Sequence, residues 1–342
     1  MTEPGPPFGN TESRIPDYRM PLDTIAAVLM EGNRFLLTTH KDPDVDGIGS
    51  MLALGKALAN TGKDVVLLTE ESVSAPLDFL RGSEKIVQGF DSGMDFDAAV
   101  LLDCCGMERL GNAGVFVDGI KPLINIDHHE TNGLFGDLNL VDLSSSSTGE
   151  LVSELIRSAG LPMDHTVAEN IFAAIQSDTG SFRYENTTSI SFRKAAEMLE
   201  YGVKPWDVSK KMTDDYSLSR LKLLEMALPS IEFYHEGRIG IMTISLAMFG
   251  KAGANQADSG SFVDFPRFVS GVEIAVLISE VDRSQYKFSL RSNSCVNVAQ
   301  LAFRFGGGGH VRAAGFECHG SIEALKRDFL KQAVRFLDGT FN

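Results

Sequence analysis

Short apolar runs that end at an aspartate or a histidine recur in the first half of the chain, and this repeat constrains the fold more than any other feature. Each run is four or five residues long, as in a buried strand, and helical patterns alternate with the runs along the chain. Residues 35–39 are followed by His40, residues 98–102 by Asp103, and residues 123–126 by Asp127. Alternating strands and helices predict an α/β fold in which helices cover both faces of a parallel sheet.

The pattern divides the chain into four segments. Residues 1–21 hold five prolines and little apolar periodicity, which predicts a mobile tail. Residues 22–200 form the parallel-sheet domain, with predicted helices at 50–60, 148–159 and 167–176. Residues 201–230 lack strand character and are predicted to be a helical linker. Residues 231–342 contain further strand and helix patterns, which predict a second, smaller α/β domain.

The charge balance limits the partners of the chain. Lys and Arg number 31 and Asp and Glu 46, a net charge of −15, so the basic face that long duplex nucleic acid requires is not expected. A short anionic substrate held by a few local cations or metals is compatible with this charge. Four cysteines, two of them adjacent, form no disulfide framework, and no apolar run approaches the ~20 residues of a membrane helix. We therefore expect a cytoplasmic protein that does not contact membranes.

Side chains that can bind metal gather where the predicted strands end. The carboxyl ends of parallel strands share one edge of the sheet, and ligands bind there. The candidate ligands at this edge are His40, Asp44, Asp46, Asp103, Asp127, His128, His129 and, at the end of a predicted helix, Asp178. Histidine together with several aspartates suits a pair of divalent cations such as Mn²⁺, whereas a structural zinc site would favour cysteine.

Each of these clusters has an ordinary alternative when it is taken alone. Residues 44–47 could be a simple turn, and residues 128–129 could lie in a solvated surface loop. Their coincidence at one sheet edge favours a metal centre. Two cations about 3.5–4 Å apart, bridged by a carboxylate and a hydroxide, would provide a nucleophile and stabilise a phosphoryl transition state.

A run of four glycines, residues 306–309, precedes His310 and Arg312 in the second domain. Consecutive glycines let backbone N–H groups approach an anion because no Cβ atom intervenes. A flexible hinge is the alternative, but a hinge would not need His310. The candidate substrate-binding residues of this domain are Arg291, Gly307, Gly308, Gly309 and His310.

Taken in order, these motifs resemble those of the DHH phosphoesterase superfamily. The triplet Asp127, His128 and His129 after an apolar strand, with the motif that opens at His40 upstream, resembles the DHH domain. The glycine run with His310, followed by Ala-Ala-Gly, resembles the DHHA1 domain that accompanies it in many members. The resemblance covers residues 22–337 and is closest to the group of nano-RNA hydrolases and 3′-phosphoadenosine-5′-phosphate (pAp) phosphatases.

The resemblance implies a role for each candidate residue. One metal would be held by His40, Asp44 and Asp103, and the other by Asp46, Asp103, His128 and Asp178, with Asp103 bridging the two. His129 would face the substrate phosphate and pass a proton to the leaving group, and Asp127 would orient a neighbouring side chain. The DHHA1 domain would supply the surface that recognises phosphate and base.

The activity implied by the resemblance is Mn²⁺-dependent, with Mg²⁺ or Co²⁺ as substitutes. It is the hydrolysis of short oligoribonucleotides (nano-RNA) to 5′-mononucleotides and of pAp to AMP. A homodimer is compatible with this assignment. Three alternatives stay open. The chain could be a signalling phosphodiesterase for cyclic or linear dinucleotides such as cyclic di-AMP or pApA, or a catalytically silent nucleotide-binding regulator. The third is a family II inorganic pyrophosphatase, which would not share the glycine and histidine run.

Overall fold

The computed structural model describes residues 19–73, 77–90, 93–214, 217–293, 296–309 and 311–339. The backbone divides after Asp214 into an N-terminal unit and a C-terminal unit. Within the described residues, the helices are too short or too polar to cross a bilayer.

The N-terminal unit is built on a five-stranded parallel sheet, as the sequence predicts. Its strands, in the order β2-β1-β3-β4-β5, are β1 (Arg34–Thr39), β2 (Asp64–Leu68), β3 (Ala98–Leu102), β4 (Leu123–Asp127) and β5 (Leu138–Val141). Side chains along β1 to β4 alternate between two apolar layers: Phe35 and Leu37 pack into one, and Leu36 packs into the other. Both faces of the sheet are therefore covered.

Helices of the N-terminal unit pack against these two layers. They are α1 (Arg19–Glu31), α2 (Val45–Ala59), α3 (Gly114–Val117), α4 (Thr148–Ser158), α5 (His165–Asp178), α6 (Ser189–Glu200) and α7 (Pro205–Ser209), with 3₁₀ turns at Ser83–Lys85 and Met107–Ala113 and a π-helical turn at Lys210–Asp214. Residues of α1, α2, α4 and α5 fill the larger layer, while α3 and the second 3₁₀ turn cover the smaller one.

Two helix starts differ from the sequence prediction. Helix α2 begins at Val45 instead of residue 50, because the Asp44 side chain caps it by accepting a hydrogen bond from the Gly47 N–H at 3.1 Å. Two glycines make this stretch resemble a turn in the sequence, but their low helix propensity is overridden by the burial of residues 46–49. Helix α1 begins at Arg19, inside the segment assigned to the tail, and residues 1–18 lie outside the described residues.

The C-terminal unit contains a six-stranded mixed sheet. Its strands, in the order β10-β11-β9-β8-β7-β6, are β6 (Glu232–Tyr234), β7 (Ile239–Ile244), β8 (Ile274–Asp282), β9 (Gln285–Ser292), β10 (Gly308–Gly309) and β11 (Ala313–His319). The pair β7 and β8 is parallel, and the other pairs are antiparallel. The helices of this unit are α8 (Leu218–Ala227), α9 (Leu246–Ala252), α10 (Asp264–Arg267), α11 (Val298–Phe303) and α12 (Ile322–Leu337), with 3₁₀ turns at Leu228–Ser230 and Gln256–Ser259.

The stretch predicted as a helical linker, residues 201–230, contains α7, the π-helical turn and α8 within its described part (201–214 and 217–230), and its helices contribute to two different cores. Val208 of α7 packs into the core of the N-terminal unit. Leu223 and Leu224 of α8 pack into the core of the C-terminal unit. Each part of this stretch is thus anchored by its own apolar face.

Candidate metal centre

Three neighbouring strands bring histidine and aspartate side chains to one edge of the parallel sheet. His40 follows β1, Asp103 follows β3, and Asp127 is the last residue of β4. These strands are adjacent in the order β1-β3-β4, so Asp103 lies between the other two. The Asp103 N–H donates to the Ile126 carbonyl at 2.9 Å, which continues the strand pairing to the edge of the sheet.

Asp103 is the centre of the cluster. Its side chain is 3% exposed, and its Oδ2 lies 3.5 Å from His40 Nε2. Its Oδ1 lies 3.6 Å from both His128 Nε2 and His129 Nδ1 and accepts a hydrogen bond from Thr148 Oγ1 at 3.1 Å. The residue has a φ of 57°, a left-handed conformation in which aspartate is tolerated better than most residues.

Helix α2 carries two further aspartates into the site. Asp44 caps the helix, and its side chain falls within a ligand group with His40 and Asp103. Asp46 is fully buried, and its two carboxylate oxygens accept from the Thr148 N–H at 2.7 Å and the Gly149 N–H at 3.0 Å. These donors form the N-terminus of α4, where backbone N–H groups and the helix dipole favour an anion.

His128 faces carboxylates through one ring nitrogen. Its Nε2 lies 3.3 Å from Asp178 Oδ2, 3.6 Å from Asp103 Oδ1 and 3.7 Å from Asp46 Oδ2. Its Nδ1 lies 3.3 Å from the Ser145 carbonyl, which can only accept a hydrogen bond, so donation from Nδ1 would leave Nε2 of a neutral ring as the metal-binding nitrogen. This is the ring orientation that metal-binding histidines adopt.

His129 is held differently. Its Nδ1 lies 2.6 Å from Oδ1 of the buried Asp127, which also accepts from the His128 N–H at 2.8 Å. The other oxygen of Asp127 accepts from Asn132 Nδ2 at 2.6 Å. Asp127 therefore fixes the orientation of His129 and is itself fixed by Asn132.

Crowded negative charge shifts the acidities of the cluster. Burial first, and then the neighbouring charge of Asp103, raise the pKa of Asp44 and raise that of Asp46 well above its ordinary value. Burial raises the pKa of Asp178 to about 7, although His128 opposes the shift.

The central carboxylate behaves in the opposite way. Burial alone would raise the pKa of Asp103, but a hydrogen bond from His40 and the charge of His129 hold it well below its usual range. Burial lowers the pKa of His129, but the hydrogen bond to Asp127 and the charges of the nearby carboxylates together outweigh it and raise this pKa to about 9. A divalent cation would add positive charge among these crowded carboxylates.

Among the residues that the structure describes, the donor atoms form three groups suited to a metal, each with its atoms within 4.8 Å of one another. The groups are His40 with Asp44 and Asp103, Asp46 with His128 and Asp178, and Asp103 with His128 and His129. Carboxylate oxygens and imidazole nitrogens match the preferences of Mn²⁺ and related cations. The structure thus brings the six predicted metal ligands together, and their chemistry fits a divalent metal.

Several residues that support the site were not anticipated from the sequence. Thr148, Gly149 and the Ser145 carbonyl come from the segment SSSSTGE before and within α4, and Asn132 lies five residues after Asp127. The signal available was the N-cap pattern in which Ser147 is followed three residues later by Glu150. That pattern predicts a helix N-terminus, which is itself an anion-binding element.

The predicted substrate-binding residues belong to the C-terminal unit. Arg291 is half-buried on β9, where it pairs with Ala275 of β8 and Ala313 of β11. His310 lies outside the described residues. The anion-binding role of both therefore stays a prediction.

The glycine run has structural reasons of its own. The Gly306 N–H donates to the Phe303 carbonyl and the Gly307 N–H to the Ala302 carbonyl, both at 3.0 Å, so these two donors close the end of α11. A Cβ on Gly307 would lie 2.1 Å from the Gly315 carbonyl oxygen, because β10 and β11 approach closely. A Cβ on Gly308, in contrast, would meet no heavy atom within 4 Å. An anion-binding role of the run is therefore best carried by Gly308.

Two alanine variants separate these roles. We expect Gly307→Ala to destabilise the protein by about 3 kcal/mol, because the added methyl group meets a backbone oxygen. Gly308→Ala should cost less than about 1 kcal/mol but raise KM for an oligonucleotide about tenfold, because the methyl group would block an approaching phosphate. Thermal unfolding and steady-state kinetics measure the two effects. An unchanged KM for Gly308→Ala would contradict the anion-binding role.

Comparison with known proteins agrees with both units. The DHH family, N-terminal domain, matches residues 34–175, and the DHHA1 domain matches residues 240–339. Both domain matches, and a relative that is 34% identical over most of the chain, show that the chain belongs to the DHH family. It is a hydrolase of the phosphoesterase type.

Individual relatives cover nearly the whole chain. It is 34% identical over 322 residues to the bifunctional oligoribonuclease and PAP phosphatase NrnA of Thermus thermophilus, covering 94% of this chain and 95% of the relative. It is 28% identical over 294 residues to the protein of the same description in Bacillus subtilis, covering 84% and 90%. Among solved structures, an exopolyphosphatase-related protein from Bacteroides fragilis superposes with a TM-score of 0.85 at 27% identity, covering 94% of this chain and 96% of that one.

Proposed function

We propose that the chain is an Mn²⁺-dependent phosphoesterase that hydrolyses short oligoribonucleotides to 5′-mononucleotides and removes the 3′-phosphate of pAp. The observation that carries this proposal is the buried carboxylate of Asp103, which belongs to one ligand group with His40 and Asp44 and lies 3.6 Å from His128 of a second group with Asp46 and Asp178. The similarity to oligoribonuclease and PAP phosphatase relatives supports the choice of substrates.

Each of the two groups would hold one cation. His40, Asp44 and Asp103 would bind the first, and Asp46, Asp103, His128 and Asp178 would bind the second. Asp103 offers a different oxygen to each side, with Oδ2 nearest His40 and Oδ1 nearest His128. This arrangement supports a bridging role for its carboxylate.

The two proposed substrates share one chemical step. Hydrolysis of pApA to mononucleotides and of pAp to AMP both break the bond between phosphorus and the ribose 3′-oxygen, with water as the other reactant. A pair of bound divalent cations would lower the pKa of water and neutralise charge on the phosphoryl group. One site can therefore serve both substrates, because the leaving group is the same 3′-oxygen.

The protein's own residues would handle the proton of that leaving group. The Asp127 carboxylate binds His129 at Nδ1, which directs proton transfer through Nε2. The hydrogen bond to Asp127 and the charges of neighbouring carboxylates raise the pKa of His129 against the effect of burial, which supports a protonated ring. A protonated imidazole can donate to the departing 3′-oxygen.

The test is Mn²⁺-dependent release of mononucleotide from pApA, compared at equal concentration with pAp, a longer RNA and cyclic di-AMP. The net charge of −15 favours substrates with few phosphates, because capture of a long strand needs an extended basic groove. We expect pApA and pAp to be hydrolysed and the longer RNA to react much more slowly. Preference for cyclic di-AMP would move the function to signalling, and no hydrolysis of any of these substrates would refute the proposal.

Mn²⁺ should stabilise the purified, metal-free protein. A cation bound among Asp44, Asp46 and Asp178 would relieve the repulsion that raises their pKa values. At 100 times the dissociation constant, ligand binding adds about 2.7 kcal/mol to the free energy of unfolding, and thus raises Tm by about 5–10 °C. Differential scanning fluorimetry with Mn²⁺ and with EDTA measures this shift. An unchanged Tm would contradict metal binding at this site.

A further inference from the structure

The side-chain amide of Asn186 joins two segments of the metal centre. Its Nδ2 donates one hydrogen bond to the Asp178 carbonyl and one to the Ser146 carbonyl, both at 3.0 Å. An amide group has two N–H donors, so both bonds can form together. Asn186 itself is exposed and lies beyond the end of α5.

One of these segments carries the candidate ligand Asp178. Asp178 is the last residue of α5, and the chain leaves it through three consecutive left-handed residues, Gly180, Ser181 and Phe182, with φ of 55°, 60° and 62°. Two of these are not glycine, and such a conformation persists only where surrounding contacts hold it. The backbone after Asp178 is therefore strained and depends on tethers.

The other segment is the serine loop, residues 144–147, which leads into α4. The Ser145 carbonyl lies 3.3 Å from His128 Nδ1. Thr148, directly after the loop, donates through its backbone to Asp46 and through its hydroxyl to Asp103. The serine loop and the first residue of α4 thus support three of the candidate ligands.

The serine loop is in turn held by a buried glutamate. Glu150 is 5% exposed, and its carboxylate accepts from the Ser146 N–H at 3.2 Å, from Ser146 Oγ at 2.6 Å and from Ser145 Oγ at 3.1 Å. Ser146 is therefore a fixed point on the N-terminal unit. A hydrogen bond to its carbonyl ties the donor to that fixed point.

We propose that Asn186 is a positioning residue for the metal centre. It connects Asp178, at the end of α5, to the serine loop that supports the other ligands, and so sets the distance between Asp178 and His128. This inference rests on the proposed metal site, in which Asp46, His128 and Asp178 bind one cation. The loss of Asn186 leaves the ligands present but lets Asp178 move away from them.

The experiment is calorimetric titration of the metal-free protein with Mn²⁺ for the wild type, Asn186→Ala and Asn186→Leu. The leucine variant keeps the side-chain volume and removes both donors. We expect one of the two Mn²⁺ ions to bind about 10–100-fold more weakly, as is typical when a residue that orients a metal ligand is lost.

Asn60→Ala is the matched control. Asn60 is also exposed, and its Nδ2 joins two elements by donating to Asp164, the N-cap of α5, at 2.8 Å. Both alanine variants should lower the Tm of the metal-free protein by a similar few degrees, because each loses an exposed tether. Asn60→Ala should keep the wild-type affinity for Mn²⁺.

Each outcome has a definite meaning. Wild-type affinity in both Asn186 variants, while the wild type binds two Mn²⁺, would overturn the positioning role and leave the proposed function intact. An equal loss of affinity in Asn60→Ala would also overturn it, since the effect would then follow from general stability. A wild-type protein that binds no Mn²⁺ would overturn the proposed function together with this inference.

Discussion

Asp103→Asn is expected to lower turnover of pApA by ~10³-fold or more while the protein remains folded. The substitution removes the negative charge that lies 3.5 Å from His40 Nε2 and 3.6 Å from His128 Nε2, between the two ligand groups. Loss of a bridging carboxylate disturbs both cations of a two-metal site, and each ~1.4 kcal/mol of lost transition-state stabilisation costs a factor of ten. Single-turnover kinetics at saturating Mn²⁺ and circular dichroism measure rate and fold.

The backbone makes asparagine a better replacement than alanine. Asp103 has a φ of 57°, and asparagine adopts this left-handed region far more readily than alanine does. Alanine would therefore add strain to the loss of the ligand.

Asp142→Asn is the matched control. Asp142 is also buried and follows directly after a strand of the same sheet, β5, but its Oδ1 accepts from the N–H and hydroxyl of Ser144. Asparagine can make the same contact with the Ser144 N–H. We expect this variant to keep turnover within a few-fold of the wild type. Wild-type turnover in Asp103→Asn would refute the assignment of Asp103 as the bridge.

The sheet edge could be predicted from the sequence because local pattern and topology agree there. The apolar runs before His40, Asp103 and Asp127 are strands β1, β3 and β4. Parallel pairing places the carboxyl ends of these strands at the same edge of the sheet, independently of the length and structure of the connecting loops. Strand β5 was not predicted, because it is only four residues long, includes an asparagine, and has one fully buried residue among the four.

The contacts that fix the ligands could not be predicted in the same way. Thr148 reaches Asp46 across 102 positions in the sequence, and Asn186 reaches Ser146 across 40. Hydrogen bonds between such distant residues follow from tertiary packing, which no local pattern encodes. In the glycine run, a local pattern predicts an anion site, but tertiary packing gives another reason for glycine. At Gly307 the close approach of β11 leaves no room for a Cβ atom.

His129→Ala should lower kcat for pApA by about 10²–10⁴-fold, the range expected when a general acid is removed. The structure admits two roles for this residue. Its Nδ1 lies 2.6 Å from Asp127 Oδ1, as in a proton donor held by a carboxylate, and 3.6 Å from Asp103 Oδ1, within a ligand group that includes His128. The short contact to Asp127 occupies Nδ1, so we expect proton transfer and not metal binding.

Two measurements on the same variant separate these roles. If His129 protonates the leaving 3′-oxygen, the loss of rate should shrink strongly with a p-nitrophenyl ester of a nucleoside 5′-phosphate, because p-nitrophenolate leaves without protonation. Calorimetry should then show two Mn²⁺ ions bound with affinities within a few-fold of the wild type. An equal loss of rate on both substrates, together with a weakened or missing Mn²⁺ ion, would instead make His129 a metal ligand. In that case Asp127 would act as the carboxylate that orients a coordinating histidine.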